Sequence, residues 1–418
     1  MLHDRRPAMG EAGRQKIDQQ DILVHDAFPE RWPYRSSDST PVSNLPAPVA
    51  CRYSKDMDND IPDRPLRKGW TTGTCATAAA AAAYEALLTG RFPDAVRVTL
   101  PRGGETMQAL SRTELANGAA TAGVVKDAGD DPDVTHGAVV LATVRVGPPG
   151  SGVSFHAGEG VGTVTLPGLQ VPAGEPAINP GPREMIRAAI AEVAEQFDAG
   201  GDVSVTVAIP GGAALAERTL NARLGIEGGL SILGTTGIVQ PYSCASWIHS
   251  IHRGIDVARA AGLDHLAAAT GSTSEAAVKA LYGLSDQALI DMGDFAGGTL
   301  KYVRAHPVAR LTIAGGFAKI AKLAQGALYL HSSKSQVDIA ALAAQLGALG
   351  APPDTVAQAE TATSAAQVLA LASEAGYPLA DLVARRAREV AMTTLAGGTA
   401  VELLIFDRQG TLIGRAGD

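Results

Sequence analysis

From about residue 226 onward one rhythm repeats: a short apolar run, a turn of glycine and threonine, then a stretch with helical spacing. SILGTTGIV precedes CASWIHSIHRGIDVARAAG, HLAAATGS runs into TSEAAVKALYG, QALIDMGDFAG into GTLKYVRAH, and VARLTIAGG into FAKIAKLAQG. Apolar strands that alternate with helices imply a parallel sheet covered on both faces, because each crossover needs a helix to return the chain. Three further helical stretches, VDIAALAAQLGAL, TSAAQVLALASEA and LADLVARRAREVAMTTL, and a final strand, TAVELLIFD, complete the region. In such sheets ligands sit beyond the carboxyl ends of the strands. Here those ends carry GTTG (Gly234–Gly237), TGSTSE (Thr270–Glu275) and AGGF (Ala314–Phe317). Each places bare amides and hydroxyls at a helix start, which suits polar or anionic groups and equally an ordinary tight turn. None is a Walker A loop or a GxGxxG fingerprint.

The preceding part reads differently. Residues 1–64 are polar, contain several prolines and lack periodicity, so a partly disordered extension is expected there. TCATAAAAAAYEALLTG then predicts a helix from about Cys75 to Thr89, capped by Thr74 or Thr72 and ended by Gly90. So much alanine gives a smooth face against which another element or a flat ligand can lie. Strand-like runs follow (AVRVTLP, TMQALS, AATAGVVK, HGAVVLATVRVG, GVSFHAG and DVSVTVAIP), with helices predicted in GPREMIRAAIAEVAEQF and GGAALAERTLNARLGI. The expected architecture is α/β and α+β: an N-terminal α+β sheet domain over 65–225, then a Rossmann-like three-layer α/β domain over 226–418 with C-terminal helices.

The balance of charge narrows the function classes. A net charge of −8 disfavours a non-specific nucleic-acid binder. Three widely spaced cysteines, Cys51, Cys75 and Cys244, make neither a zinc pattern nor a disulfide framework, and they suit a reducing cytoplasm. The N-terminus has no apolar core of a signal peptide, and the alanine run is too short to span a bilayer. No membrane partner is expected, and a homo-oligomer is left open.

Most polar chemistry gathers in KDAGDDPDVTHG, Lys126 to Gly137, with aspartates at 127, 130, 131 and 133 and a histidine at 136. Their spacing resembles no cation loop, since adjacent Asp130 and Asp131 point apart. Glycine and proline mark a turn in which Asp side chains bond nearby amides, so a rigid Asx-type loop stands beside a functional loop. Gly158, Gly160 and Gly162 in HAGEGVGTVTLPG read either as a close-approach loop for a nucleoside or macrocycle or as a β-bulge. Lys68, Lys126 and Arg183 are available cations for a substrate carboxylate. Cys75, near a helix start, has no base named beside it, so a packed or ligand-lining residue is favoured over a nucleophile. His249 and His252 lack the glutamate of a zinc helix.

Several of these stretches together resemble one family. GWTTGTCATAAAAAA, VVKDAGDDPDVTHG, GEGVGTVTLPGL, INPGPREMI, ERTLNARLGIEGGLSILGTTGIVQP and KLAQGALYLHSS, in this order, are similar to motifs of the cobalt-precorrin-5B C1-methyltransferases of cobalamin biosynthesis. The resemblance runs from about Leu66 to about Asp338 and departs at Gly181, Asp294 and around Phe317. It implies methyl transfer from S-adenosylmethionine to C1 of cobalt-precorrin-5B, giving cobalt-precorrin-6A and S-adenosylhomocysteine, on the early-cobalt (anaerobic) route. Cobalt then enters only within the substrate, so no protein metal site is needed. The usual methyltransferase glycine fingerprint is absent. On this reading Asp127, Asp131 and His136 shape the loop or assist proton loss. Gly158, Gly160, Gly234, Thr235 and Thr236 are expected at the donor. Lys68, Thr72, Thr74, Lys126 and Arg183 are expected at the anionic tetrapyrrole, between the two domains. A non-catalytic binding protein for a tetrapyrrole or nucleotide is the alternative.

Overall fold

The structure, a computed structural model, describes residues 64–417. The expected disordered extension and Cys51 therefore lie, apart from Arg64, outside the described residues. The first elements are β1 (Gly69–Trp70), α1 (Thr72–Thr89), β2 (Ala95–Thr99), β3 (Glu105–Ala109), β4 (Arg112–Ala116), β5 (Ala119–Val125), β6 (Val139–Val146) and β7 (Val153–Ala157). Next come β8 (Thr163–Val164), α2 (Pro180–Gln196), β9 (Val203–Ala208), the short α3 (Gly212–Ala216), β10 (Ile226–Glu227) and β11 (Ile238–Val239). A five-stranded sheet runs β4-β5-β6-β9-β7, antiparallel except for the β7–β9 pair.

Helix α1 lies between this sheet and α2. Ala78 to Ala83 are each 4% exposed or less, so the helix is apolar all round because it is buried all round. Small side chains let its backbone approach both neighbours closely. It starts three residues before the expected Cys75. The cap is Thr71, whose hydroxyl accepts the Thr74 amide proton at 3.2 Å, and Gly90 ends it in a left-handed turn. Gly73 is tolerated inside the first turn because Pro182 of α2 presses on it: a Cβ there would lie 2.8 Å from the Pro182 ring.

The chain continues with α4 (Cys244–Ala260), β12 (His265–Ala269), α5 (Ser272–Tyr282), β13 (Leu289–Asp291), α6 (Ala296–Ala305), β14 (Arg310–Gly316) and α7 (Phe317–Ala324). It ends with α8 (Ile339–Ala348), α9 (Pro353–Glu360), α10 (Ala365–Glu374), α11 (Leu379–Leu395), β15 (Ala400–Phe406) and β16 (Leu412–Ala416). Four parallel strands run β13-β12-β14-β15, with β16 antiparallel at the edge. Strand alternation sends Ala267, Leu289, Ala314 and Leu404 to a face covered by Val278 of α5. Leu266, Ile290, Ile313 and Leu403 face the opposite cluster, with Ile255, Leu300, Ile320 and Val383. The architecture is thus mixed α/β, with several sheets and helices.

Two elements were not anticipated and two expectations are corrected. β4 is fully exposed and carries no apolar pattern to reveal it. α9 is short, with one buried side chain. TAVELLIFD is not the last strand, since β16 returns along it through a bend at Asp407. SILGTTGIV is mostly loop: only Ile238 and Val239 form a strand, paired to β1. Its Ile232 and the preceding Leu230 are buried with the N-terminal sheet, and the chain passes to the second cluster near Tyr242.

Candidate functional site

Hydrogen bonds draw distant motifs together at the start of α1. The Thr72 hydroxyl donates to the Leu233 carbonyl at 3.2 Å and accepts the Leu233 amide proton at 3.0 Å. The Thr74 hydroxyl donates to the Gly237 carbonyl at 2.7 Å. Both expected substrate hydroxyls therefore hold the 233–237 turn against the helix. Gly234 has φ +131°, and a Cβ there would lie 2.3 Å from the Thr71 hydroxyl, so only glycine fits. Thr236 bonds to the Ile238 amide at 3.3 Å, while Thr235 and Leu233 beside it are exposed. Gly181 of α2 faces the same turn: a Cβ would lie 3.3 Å from the Gly234 carbonyl. The space for a side chain there is tight.

The loop from Lys126 to Gly137 packs beside this turn. Lys126 is 1% exposed, and its Nζ donates to Asp133 Oδ2 at 2.6 Å. Burial works against the Asp133 carboxylate. The Lys126 charge, with bonds from Lys126 and Thr135, nevertheless holds its pKa below the usual range. Asp127 takes a two-pronged bond from Arg67 and the Gly129 amide proton at 2.9 Å, and the Arg67 bond lowers its pKa. Asp130 is held by Arg64 at 2.9 Å and by the Arg67 amide at 2.6 Å. Asp131 accepts the Tyr242 amide proton at 2.9 Å, and burial pushes its carboxyl upward. His136 Nδ1 accepts the Ala128 amide proton at 3.1 Å, which puts the ring proton on Nε2, on a half-exposed side chain.

Tyr242 is one of few non-glycine residues with positive φ, at +56°. Such a conformation costs about 1 kcal/mol and is held here by the Asp131 bond. Asp131 thus ties the loop to the crossover between the two buried clusters. Past the crossover, Cys244 Sγ lies 3.8 Å from the Tyr329 hydroxyl. Tyr329 stacks between Phe295 (5.1 Å between ring centroids) and His331 (5.9 Å). Lys68 is exposed and makes no hydrogen bond or ion pair among the described residues.

Other expected residues stand apart from this cluster. Arg183 is spent locally, on the Ile178 carbonyl at 2.7 Å, Glu175 at 2.7 Å and the Pro176 carbonyl at 3.1 Å. Gly160 lets two backbone segments cross: a Cβ would lie 2.0 Å from the Ile209 carbonyl oxygen. Gly158 similarly abuts Ala208. Cys75 is fully buried, and burial raises its thiol pKa to about 12, which leaves no thiolate for nucleophilic work. Among the described residues no three His, Cys, Asp or Glu side chains assemble as a cation cage.

Two polar side chains stand at the carboxyl ends of the parallel strands: Thr270, the first residue of the TGSTSE turn, and Asp291, which was not singled out from the sequence. Thr270, after β12, is 4% exposed, and its hydroxyl has no hydrogen-bond partner among the described residues. Asp291, the last residue of β13, likewise has no side-chain partner there. Burial, then the Glu275 charge, raises its pKa to about 6. The signal for Asp291 was an acid closing an apolar run in QALIDMGD, at the strand end where ligands bind.

The chain matches the family described as CbiD over residues 59–241 and the CbiD C-terminal domain over residues 329–417. A cobalt-precorrin-5B C(1)-methyltransferase of Bradyrhizobium sp. is 62% identical over 354 residues, 84% of this chain and 94% of that protein. The protein of the same name from Methylorubrum extorquens is 59% identical, covering 83% of this chain and 97% of its own length. That from Brucella anthropi is 56% identical, covering 84% and 95%. A crystal structure of the cobalamin biosynthesis protein cbiD from Archaeoglobus fulgidus is 29% identical over 60% of this chain and 77% of that one, with a TM-score of 0.35.

Proposed function

Because the chain belongs to the cobalt-precorrin-5B C(1)-methyltransferase (CbiD) family, we propose that it transfers a methyl group from S-adenosylmethionine to C1 of cobalt-precorrin-5B. The products are cobalt-precorrin-6A and S-adenosylhomocysteine. The observation that carries the reading within this chain is convergence. The family motifs Thr71–Thr74 and Lys126–Gly137 are each bonded, across more than a hundred residues, to Leu233–Tyr242. Packing alone does not need so many polar cross-links.

The tetrapyrrole lies, on this proposal, where Asp131 meets Tyr242. A flat macrocycle edged with carboxylates needs cations at its rim and an aromatic or apolar surface under its face. Of the three expected cations, Lys68 makes no ion pair among the described residues, while Lys126 and Arg183 pair with Asp133 and Glu175. Exposed Leu233 and Thr235 and the Phe295–Tyr329–His331 stack supply surface. Asp131 is the carboxyl in the loop best suited to accept a proton, since burial disfavours its charged form. The His136 Nε2–H is turned outward as a donor. S-adenosylmethionine supplies an already activated methyl electrophile, so the protein's main work is to hold the reacting centres in line. We read the C-terminal sheet as a Rossmann-like, three-layer donor domain whose strand ends lack the glycine fingerprint.

The direct test is anaerobic incubation with cobalt-precorrin-5B and methyl-labelled S-adenosylmethionine. Label fixed at C1 is expected. A folded protein that binds the tetrapyrrole and transfers no label overturns the reading.

A further inference from the structure

The order in which strands are added to the parallel sheet reverses between β12 and β14. After β12 the chain leaves over one face through α5 toward β13, and after β14 it leaves over the other face through α7 toward β15. Helices that depart to opposite faces from adjacent strands open a crevice between the strand ends, the place where α/β sheets bind ligands. Among the described residues there is open space at its two glycines. A Cβ added at Gly271, after β12, or at Gly316, the end of β14, would meet no atom within 4 Å. Between them the walls close in, since a Cβ at Gly315 would lie 2.7 Å from the Thr270 hydroxyl. That hydroxyl therefore lies against the end of β14, at the rim of the crevice, on a side chain that is 4% exposed.

The charges around the crevice are almost all matched. Lys319 pairs with Asp294 at 3.0 Å and donates to the Thr270 carbonyl at 2.9 Å. Arg223 pairs with Glu275 at 2.6 Å. Asp291 is the carboxylate left over. Asp291 is partly exposed at the strand end, so its carboxylate oxygens are open to accept bonds from a ligand. The N-terminal glycines differ in kind: Gly160 and Gly234 are filled by the protein's own backbone and side chains.

We propose that this crevice binds the nucleoside end of the methyl donor, with the Asp291 carboxylate accepting from the sugar hydroxyls and Thr270 bonding the same moiety. Gly271 and Gly316 leave room for its approach, and the Trp247 indole, which donates to the Asp291 carbonyl at 3.2 Å, fixes the strand end. The proposal rests on the methyl-transfer reading and assigns its donor site.

Isothermal titration of the full chain with S-adenosylhomocysteine tests it, using Asp291→Asn and Thr270→Val. Losing a bond to a charged group is expected to weaken binding by about tenfold or more for Asp291→Asn. A loss of several-fold, on the order of one neutral bond, is expected for Thr270→Val. Thermal melting of each variant confirms that the fold is kept. Wild-type affinity in both folded variants overturns the crevice assignment and leaves the methyl-transfer reading standing. A wild-type chain that neither binds S-adenosylhomocysteine nor transfers label overturns the reading itself.

Discussion

The loop from Lys126 to Gly137 and the crevice beyond β12 and β14 are both rich in polar side chains, and they dispose of them in opposite ways. In the loop every carboxylate has a partner within the chain: Asp127 with Arg67, Asp130 with Arg64, Asp131 with the Tyr242 amide, Asp133 with Lys126. In the crevice Asp291 and Thr270 have none among the described residues. A dense polar motif can thus be mostly scaffold, while a sparse one holds the chemistry that awaits a ligand. What separates them is satisfaction of bonding capacity, which composition does not show.

The largest expected effect breaks the self-sufficiency of the loop. Asp133→Ala leaves Lys126 charged and 1% exposed without its partner. Removing one member of a buried pair costs about 3–5 kcal/mol. Urea unfolding is expected to show a loss of that order; a loss near zero would mean that water reaches Lys126.

The crevice is expected to respond in the opposite direction. Asp291 has a folded pKa of about 6, above its unfolded value, so the native state holds its proton more tightly. Stability from this group is full below the unfolded carboxyl range and is lost as pH rises through about 6. Asp291→Asn is therefore expected to stabilise the ligand-free protein at pH 7 by up to about 3 kcal/mol and to flatten that stretch of the pH–stability curve. Equal stability of the two proteins at pH 5 and pH 7 would show that Asp291 is not penalised.

The smallest structural effect belongs to Asp127. Its pair with Arg67 is partly exposed, and such pairs contribute about 0–1 kcal/mol. Asp127→Ala is expected to leave chemical stability within that range. Unchanged methyl transfer in that variant would assign the residue to loop shape alone, and a loss of turnover would place it at the substrate.

Much of this arrangement is legible in the sequence where a single period governs it. The strand-turn-helix alternation after Cys244 set the parallel sheet, because each strand is buried on both faces and reads as an apolar run. Helix α1 was visible from alanine and Gly90, but its start was not. Thr71, Thr72 and Thr74 are equally good caps locally, and only the bonds to Leu233 and Gly237 decide among them. β4 and α9 escaped because they bury too little to leave a pattern. The site divides along the same line. KDAGDDPDVTHG announced itself by composition, and the Asp131–Tyr242 bond, over 111 residues, could not be read from spacing. Thr270 falls in a strand-end turn that the glycine and threonine marked, whereas Asp291 is an ordinary residue at a strand end. They become conspicuous only when every neighbour's partner is known.

Amide hydrogen exchange of the full chain, with and without S-adenosylhomocysteine, compares the two regions in a single measurement. Protection is expected at residues 270–273, 291–294 and 315–317, with 126–137 and 158–162 unchanged. Protection confined to the loop and the glycine turns, with none at the strand ends, would contradict the account.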